Sequence, residues 1–234
     1  RGTIIVLFID ELQYLAEDQL AALITALHRI SQNQLPVTMV AAGLPQLVGQ
    51  TGRAKSYAER LFEFIRIDSL DELAAREAIC VPAEKESVKY NENAVKEILA
   101  QTKGYPYFLQ EWGKHSWNIA ADSPIRLQDA QAATITALAE LDSSFFRVRF
   151  DRLTPAEKRY VRAMAELGPG LHRSGDIANL LGKDVSEVAP MRGKLIAKGM
   201  IYSPAFGDTA FTVPLFEGFL KRITPHFDKG DRLL

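Results

Sequence analysis

The chain has 234 residues, 47% hydrophobic and 24% charged, with 28 Lys+Arg against 29 Asp+Glu. That composition excludes disordered, collagenous and disulfide-stapled classes, and the length suits two or three small domains. The longest apolar run, Ile4 to Ile9, is far short of the roughly 20 residues a membrane helix needs, and nothing at the start reads as a secretory leader, so no membrane partner is expected. A lone cysteine, Cys80, points to a reducing, cytoplasmic setting and reads as a core or half-buried thiol. Residues 1–150 carry 15 Lys+Arg and 19 Asp+Glu, whereas residues 151–234 carry 13 and 10, so the basic part is C-terminal. The excess there is modest; it permits nucleic-acid contact without demanding it. The chain opens at Arg1, without Met, and passes almost directly into a strand, from which a fragment lacking its N-terminal part is expected.

In chain order, Thr3–Ile9 is an unalternating apolar run, as for a strand buried on both faces of a parallel sheet. A helix is predicted from Asp18 to Ser31, with Leu20, Leu23, Ile24, Leu27 and Ile30 on one face. Val37–Ala42 reads as a second strand, Ser56–Phe62 as a short helix and Phe64–Ile67 as a third strand. Past Ser69 the pattern is helical: Asp71–Val81 stopped by Pro82, Asn91–Thr102 stopped by Lys103 and Gly104, Pro106–Ala121, and Leu127 to about Leu141. From Leu153 it changes again. Thr154 and Pro155 start a helix to Leu167, a second runs Ser174–Leu181, a third Ser186–Lys198, and Met200–Ser203 with Phe211–Val213 form a hairpin candidate around Gly207 and Asp208. The reading is an α/β half-sheet over 1–68, an all-α layer over 69–150 and a winged helix-turn-helix module over 151–234.

Asp10 and Glu11 follow the first strand directly, at the strand end where open α/β sheets bind ligands. A carboxylate pair there can hold a metal and polarise a water; its plain alternative is a solvated turn or a helix-leading acid.

Four segments in order resemble an AAA+ ATPase: the strand ending in Asp10-Glu11; Val37–Ala42 followed by Gly43-Leu44-Pro45; Tyr57-Ala58-Glu59-Arg60-Leu61-Phe62; and Gly104-Tyr105-Pro106-Tyr107-Phe108-Leu109. The likeness is to the branch holding the origin-recognition/Cdc6-like and STAND-type ATPases, a partial P-loop NTPase sheet followed by a lid and a winged helix. The resemblance implies that Asp10 and Glu11 are the Walker B acids, Asp10 for Mg²⁺ and Glu11 for the attacking water. It also implies that Arg60 is a finger reaching a neighbouring subunit in a self-assembly, with Arg53 a weaker candidate, and that Gly104, Tyr105 and Pro106 open a helix facing ATP. Arg60 also reads simply as a surface cation, and Gly104 to Pro106 as a helix cap followed by a new helix. Ala41-Ala42-Gly43 stands where the family often has a polar sensor. No Gly-x-x-x-x-Gly-Lys-Ser/Thr occurs in the 234 residues, so poor ATP binding by this polypeptide is expected.

If the C-terminal module binds double-stranded DNA, Arg192 and Lys194 on its third helix face the groove and Arg173, Ser174 and Lys183 meet phosphates; the alternative is a module used for packing or protein contact. His28, His115, His172 and His226 are scattered without a His-x-x-x-His or Cys partner and read as no metal site. Trp112, Trp117, Phe108 and Leu109 read as core, and Phe145, Phe146 and Phe150 as docking the helical layer against the C-terminal module. Two functions are compatible with these residues: the C-terminal part of an ATP-driven conformational switch, or a non-catalytic DNA-binding or adaptor protein on an ATPase scaffold.

Overall fold

Parallel strands need a crossover, and here a helix supplies it. In the computed structural model, which describes residues 3–205 and 207–227, β1 (Ile5–Ile9) and β2 (Val37–Ala41) pair in parallel from Ile5 opposite Val37 to Ile9 opposite Ala41. They are joined through α1 (Glu17–Gln32). Successive side chains of a strand point to opposite faces. Ile9, Met39 and Ala41 therefore share the face that packs on Leu12, Leu20, Ile24 and Ala58, while Val6, Phe8 and Val40 stand on the other face, exposed, Phe8 by 79%. The expectation of a strand buried on both faces is corrected. Among the described residues the sheet has two strands, and only one of its faces is covered by α1.

Phe64–Ile67, expected as a third strand, forms none; Ile65 and Ile67 are exposed. It has β-branched composition and no neighbouring strand to pair with among the described residues. Between β2 and this segment lie α2 (Leu47–Ala54), which the sequence reading missed, and α3 (Ala58–Leu61), shorter than predicted. Gly49 and Gly52 lower the helix propensity of α2 and hid it.

Two compact units divide the chain. One comprises Arg1–Arg66, Gly170–Asn179 and Lys183–Thr212, the other Ile67–Pro169, Leu180–Gly182 and Val213–Leu234. The first unit holds, besides β1 and β2, a three-stranded antiparallel sheet. Its strands are β3 (His172–Arg173), β5 (Asp208–Phe211) and β4 (Ile201–Tyr202), with β5 central. Two helices come with it in the chain, α10 (Ser174–Leu181) and α11 (Val185–Ala197). Within this unit the loop after β2 reaches the end of α11: Gln46 Nε2 donates to the Ile196 carbonyl at 3.4 Å.

The second unit is helical: α4 (Glu72–Lys85), α5 (Glu92–Thr102), α6 (Pro106–Ile119), α7 (Leu127–Leu141), a π segment (Asp142–Phe146), α8 (Arg147–Asp151), α9 (Pro155–Glu166) and α12 (Phe216–Ile223). Asp71, Asn91 and Thr154 cap their helices, Thr154 in a reciprocal box with Glu157. Pro82, expected to stop α4, lies inside it. A proline removes one backbone donor, and burial of Ala83 on the core side carries the helix one turn further.

Ala130, Ala133 and Ala137 are fully buried along α7, which packs against α5 and α6, where Val95, Ile98, Leu109 and Trp112 are buried. The Trp112 indole N–H donates to Thr134 Oγ1 at 2.8 Å. Phe146 sits between Phe108, Phe216 and Phe219, at 6.0, 5.7 and 5.4 Å between ring centres. Phe145 meets Phe146 edge-on at 5.3 Å and stacks on Tyr107 at 4.9 Å. Because Phe146 is fully buried among four rings, Phe146→Ala is expected to lower unfolding free energy by about 3–5 kcal/mol, read by urea denaturation followed by circular dichroism.

Candidate functional site

The chain turns sharply where β1 ends. Asp10 is exposed, and its Oδ1 accepts the Glu11 backbone N–H at 2.8 Å. Glu11 has φ +54°, a left-handed conformation that costs a non-glycine residue roughly 1–2 kcal/mol, and a single 3₁₀ turn, Leu12–Tyr14, comes next. Several bonds hold it. Leu12 N–H donates to the Ala42 carbonyl at 3.0 Å, Ala42 N–H to the Ile9 carbonyl at 2.9 Å, and Gln13 Nε2 to the Glu11 carboxylate.

Gln13 is the residue that sequence reasoning missed. It is buried, and while its amide nitrogen donates to Glu11 its Oε1 accepts the Leu44 N–H at 3.1 Å. One side chain thereby links the carboxylate after β1 to the backbone after β2. Gly43 leaves the room for it, since a Cβ there would stand 2.8 Å from Gln13 Oε1 and 2.9 Å from Leu47 Cδ2. A polar residue inside Leu12-Gln13-Tyr14-Leu15 was the available signal. The fold thus brings together Asp10, Glu11, Gln13 and the 43–44 turn at the carboxyl end of two parallel strands. Arg60 is exposed in the last turn of α3 and Arg53 in that of α2; among the described residues neither forms an ion pair with these carboxylates.

Gly104, Tyr105 and Pro106 belong to the helical unit. Lys103 and Gly104 both take positive φ, +54° and +71°. The Leu70 N–H donates to the Gly104 carbonyl at 2.9 Å, and a Cβ on Gly104 would stand 2.3 Å from the Leu70 carbonyl oxygen. Pro106 is the first residue of α6, and Tyr105 packs its ring on Phe108 at 4.7 Å. Beside Gly104 is an open hollow of about 340 Å³ whose other walls include Lys96, Lys103 and Glu72.

Of the five residues expected at DNA, Arg192 is engaged inside the protein. Its Nε donates to Thr209 Oγ1 at 2.8 Å, and one terminal nitrogen to Ser203 Oγ at 2.6 Å and the Asp208 carbonyl at 2.8 Å. It fastens α11 to the β4–β5 hairpin. Arg173 pairs with Asp208 at 3.2 Å, and Ser174 Oγ donates to the Gly207 carbonyl at 3.1 Å. Lys183 and Lys194 are exposed. Cys80 is half-buried, and burial pushes its thiol pKa up, away from a nucleophilic thiolate.

With this geometry the chain can be set beside known proteins. A family model described as a domain of unknown function (DUF8462) matches residues 143–220. No curated protein matches the chain. Among solved structures, the Walker-type ATPase of Pyrococcus abyssi is similar with a TM-score of 0.62 at 17% identity, over 93% of this chain and 63% of that one. The RuvB Holliday junction branch migration motor of Thermotoga maritima is similar with a TM-score of 0.47 at 17% identity, over 88% and 66%. The chain shares the fold of the Pyrococcus protein and spans 63% of its length.

Gly104→Ala combines a left-handed backbone with a backbone clash. It is expected to cost more than about 1–3 kcal/mol in urea denaturation, well above the same change at Gly113, where a Cβ meets nothing within 4 Å.

Proposed function

We propose that this chain is the C-terminal portion of an AAA+ ATPase, a conformational switch in which Asp10 and Glu11 serve nucleotide hydrolysis and a winged helix engages DNA or a partner. The observation that carries the proposal is the parallel β1–β2 pair whose carboxyl ends hold Asp10 and Glu11, with Gln13 bridging Glu11 to the turn after β2. The fold shared with a Walker-type ATPase supports it. So does the uncovered apolar face at Val6, Phe8 and Val40, which suits a second covering layer, since parallel sheets ordinarily bury both faces.

Residues and group fit in part. Asp10 is exposed with acceptor capacity beyond its one backbone bond, which suits a Mg²⁺ held through water. For the phosphates of ATP no Gly-rich cradle with its lysine is present in the 234 residues, so they would have to be held by residues outside them. Bound Mg-ATP would supply the phosphoryl group and the charge that positions it. Glu11 accepts a proton from, or orients, a water; Gln13 fixes the carboxylate's direction; Arg60 offers a cation to an adjoining subunit. Gly104, Tyr105 and Pro106 open the helix of the lid that would face the nucleotide. The domain reading of 1–68, 69–150 and 151–234 belongs to this proposal. So does the winged helix, supported by the chain order α9, β3, α10, α11, β4, β5.

In the complete protein, Glu11→Gln is expected to lower ATP turnover by about a hundredfold or more while nucleotide affinity is retained, measured by phosphate release and fluorescent-nucleotide titration. Unchanged turnover would remove Glu11 from the mechanism.

The second function, a non-catalytic DNA-binding or adaptor protein, draws support from the exposed Lys183 and Lys194. If DNA is the partner, a gel shift with duplex DNA at low salt is expected to weaken with rising salt, and to be lost in Lys183→Ala plus Lys194→Ala. Arg192→Ala would act through the hairpin instead, visible as a change in the spectrum of the free protein.

A further inference from the structure

His115 lies on α6 and is 7% exposed. Its Nε2 is buried and makes no hydrogen bond, although the carboxylate of Glu140, on α7, comes within 3.0 Å and that of Glu111, one turn earlier on α6, within 3.7 Å. The Glu140 oxygen is near enough for a hydrogen bond but out of line, and the Glu111 oxygen is too far. A buried imidazole nitrogen thus stands against two carboxylates, at ion-pair distance from both Glu140 and Glu111, a donor set that one shared cation would draw together.

The donor atoms of Glu111, His115 and Glu140 all lie within 4.8 Å of one another. Ligand atoms about 2.0–2.2 Å from a tetrahedral divalent ion stand about 3.3–3.6 Å apart. The two separations from His115, 3.0 and 3.7 Å, bracket that range; the widest separation in the set is within 4.8 Å, so the carboxylates have to close on the ion by about 1 Å. Residues i and i+4 of one helix with a third from a facing helix is a general way for a helical bundle to hold a metal. One imidazole with two carboxylates favours a borderline transition ion such as Zn²⁺ over Mg²⁺ or Ca²⁺, which take oxygen alone.

We propose that Glu111, His115 and Glu140 form a site for a divalent transition metal of the zinc class, fastening α6 to α7. Lys114 holds the place of that charge in the metal-free protein: its ammonium lies 3.2 Å from Glu111 Oε2 and 3.0 Å from Glu140 Oε1. Lys114 is partly exposed, and its flexible stem can swing into solvent. This inference stands apart from the ATPase reading, since none of its residues belongs to that site.

The test is titration of the 234-residue protein with Zn²⁺ against a chelating dye of micromolar affinity, repeated with Co²⁺ to read the visible bands of the bound ion. One ion per chain is expected. Glu140→Gln changes a partly exposed side chain, so its fold is retained; it and His115→Gln should each weaken binding by at least about tenfold, a ligand loss being no smaller than the loss of an outer partner. Lys114→Gln should tighten it by removing the competing charge. No competition with the dye, or a loss smaller than tenfold in both ligand variants, overturns the proposal, the latter by assigning the ion to His28, His172, His226 or another surface group.

Discussion

A parallel strand pair has two faces to hide, and the first unit covers the carboxyl end of one, at Ile9, Met39 and Ala41. That constraint decides most of what surrounds the candidate site. Ile9, Met39 and Ala41 bind the sheet to α1 through Leu20 and Ile24, which fixes where β1 and β2 end and so where Asp10, Glu11, Gly43 and Leu44 begin. At those ends side-chain packing gives way to hydrogen bonds. Gln13, buried and used at both ends of its amide, holds a carboxylate against a backbone turn. Its burial is tolerable because both polar ends are satisfied. The left-handed Glu11 persists because the backbone bonds of Leu12 and Ala42 leave it no alternative path.

In the second unit the organising element is aromatic. Phe108 and Phe146 stand at the centre of rings contributed by α6, the π segment and α12, and Arg222 on α12 grips Asp142 through two 2.6 Å bonds at the edge of that nucleus. Burial comes first and the charged clasp second; the pair is partly exposed, and solvent screens it. Alanines on α7 play the complementary part, since a fully buried small residue lets neighbouring helices pack at short range.

Elements with long, unbroken periodicity are legible in the residues. The start of α7 at Leu127 and the short helix Ser174–Leu181 fall where the sequence puts them, whereas beyond Leu141 the backbone runs on through the π segment into α8. Where local and tertiary signals part, the reading fails. Phe64–Ile67 has strand composition, but a strand exists only with a partner. Pro82 is a helix breaker that core burial of Ala83 overrides. Gly49 and Gly52 conceal α2, and α12 comes after a left-handed Leu215 that no residue type announces. At the candidate site, the acids are visible through their position after an apolar run. Gln13 is not, because its role depends on Leu44, 31 residues away. Arg192 reads as pointing outward because a helical cation usually does; Ser203, Thr209 and Asp208 turn it inward. His115 looks solitary in the sequence because one of its two acidic neighbours belongs to another helix.

From Leu127 through the π segment to Asp151 the backbone of the helical unit continues without a break, a rod of about 37 Å at a 1.5 Å rise per residue. Phe145 and Phe146, at the end of the π segment, meet each other at 5.3 Å and both meet Phe108, Phe145 reaching on to Tyr107 and Phe146 to Phe219. The register of α7 is therefore tied to the rings at Phe216 and Phe219 through Phe146, so chain length within the π segment sets the coupling between that helix and the ring cluster. Inserting or deleting one residue there would alter the coupling while leaving the composition almost unchanged.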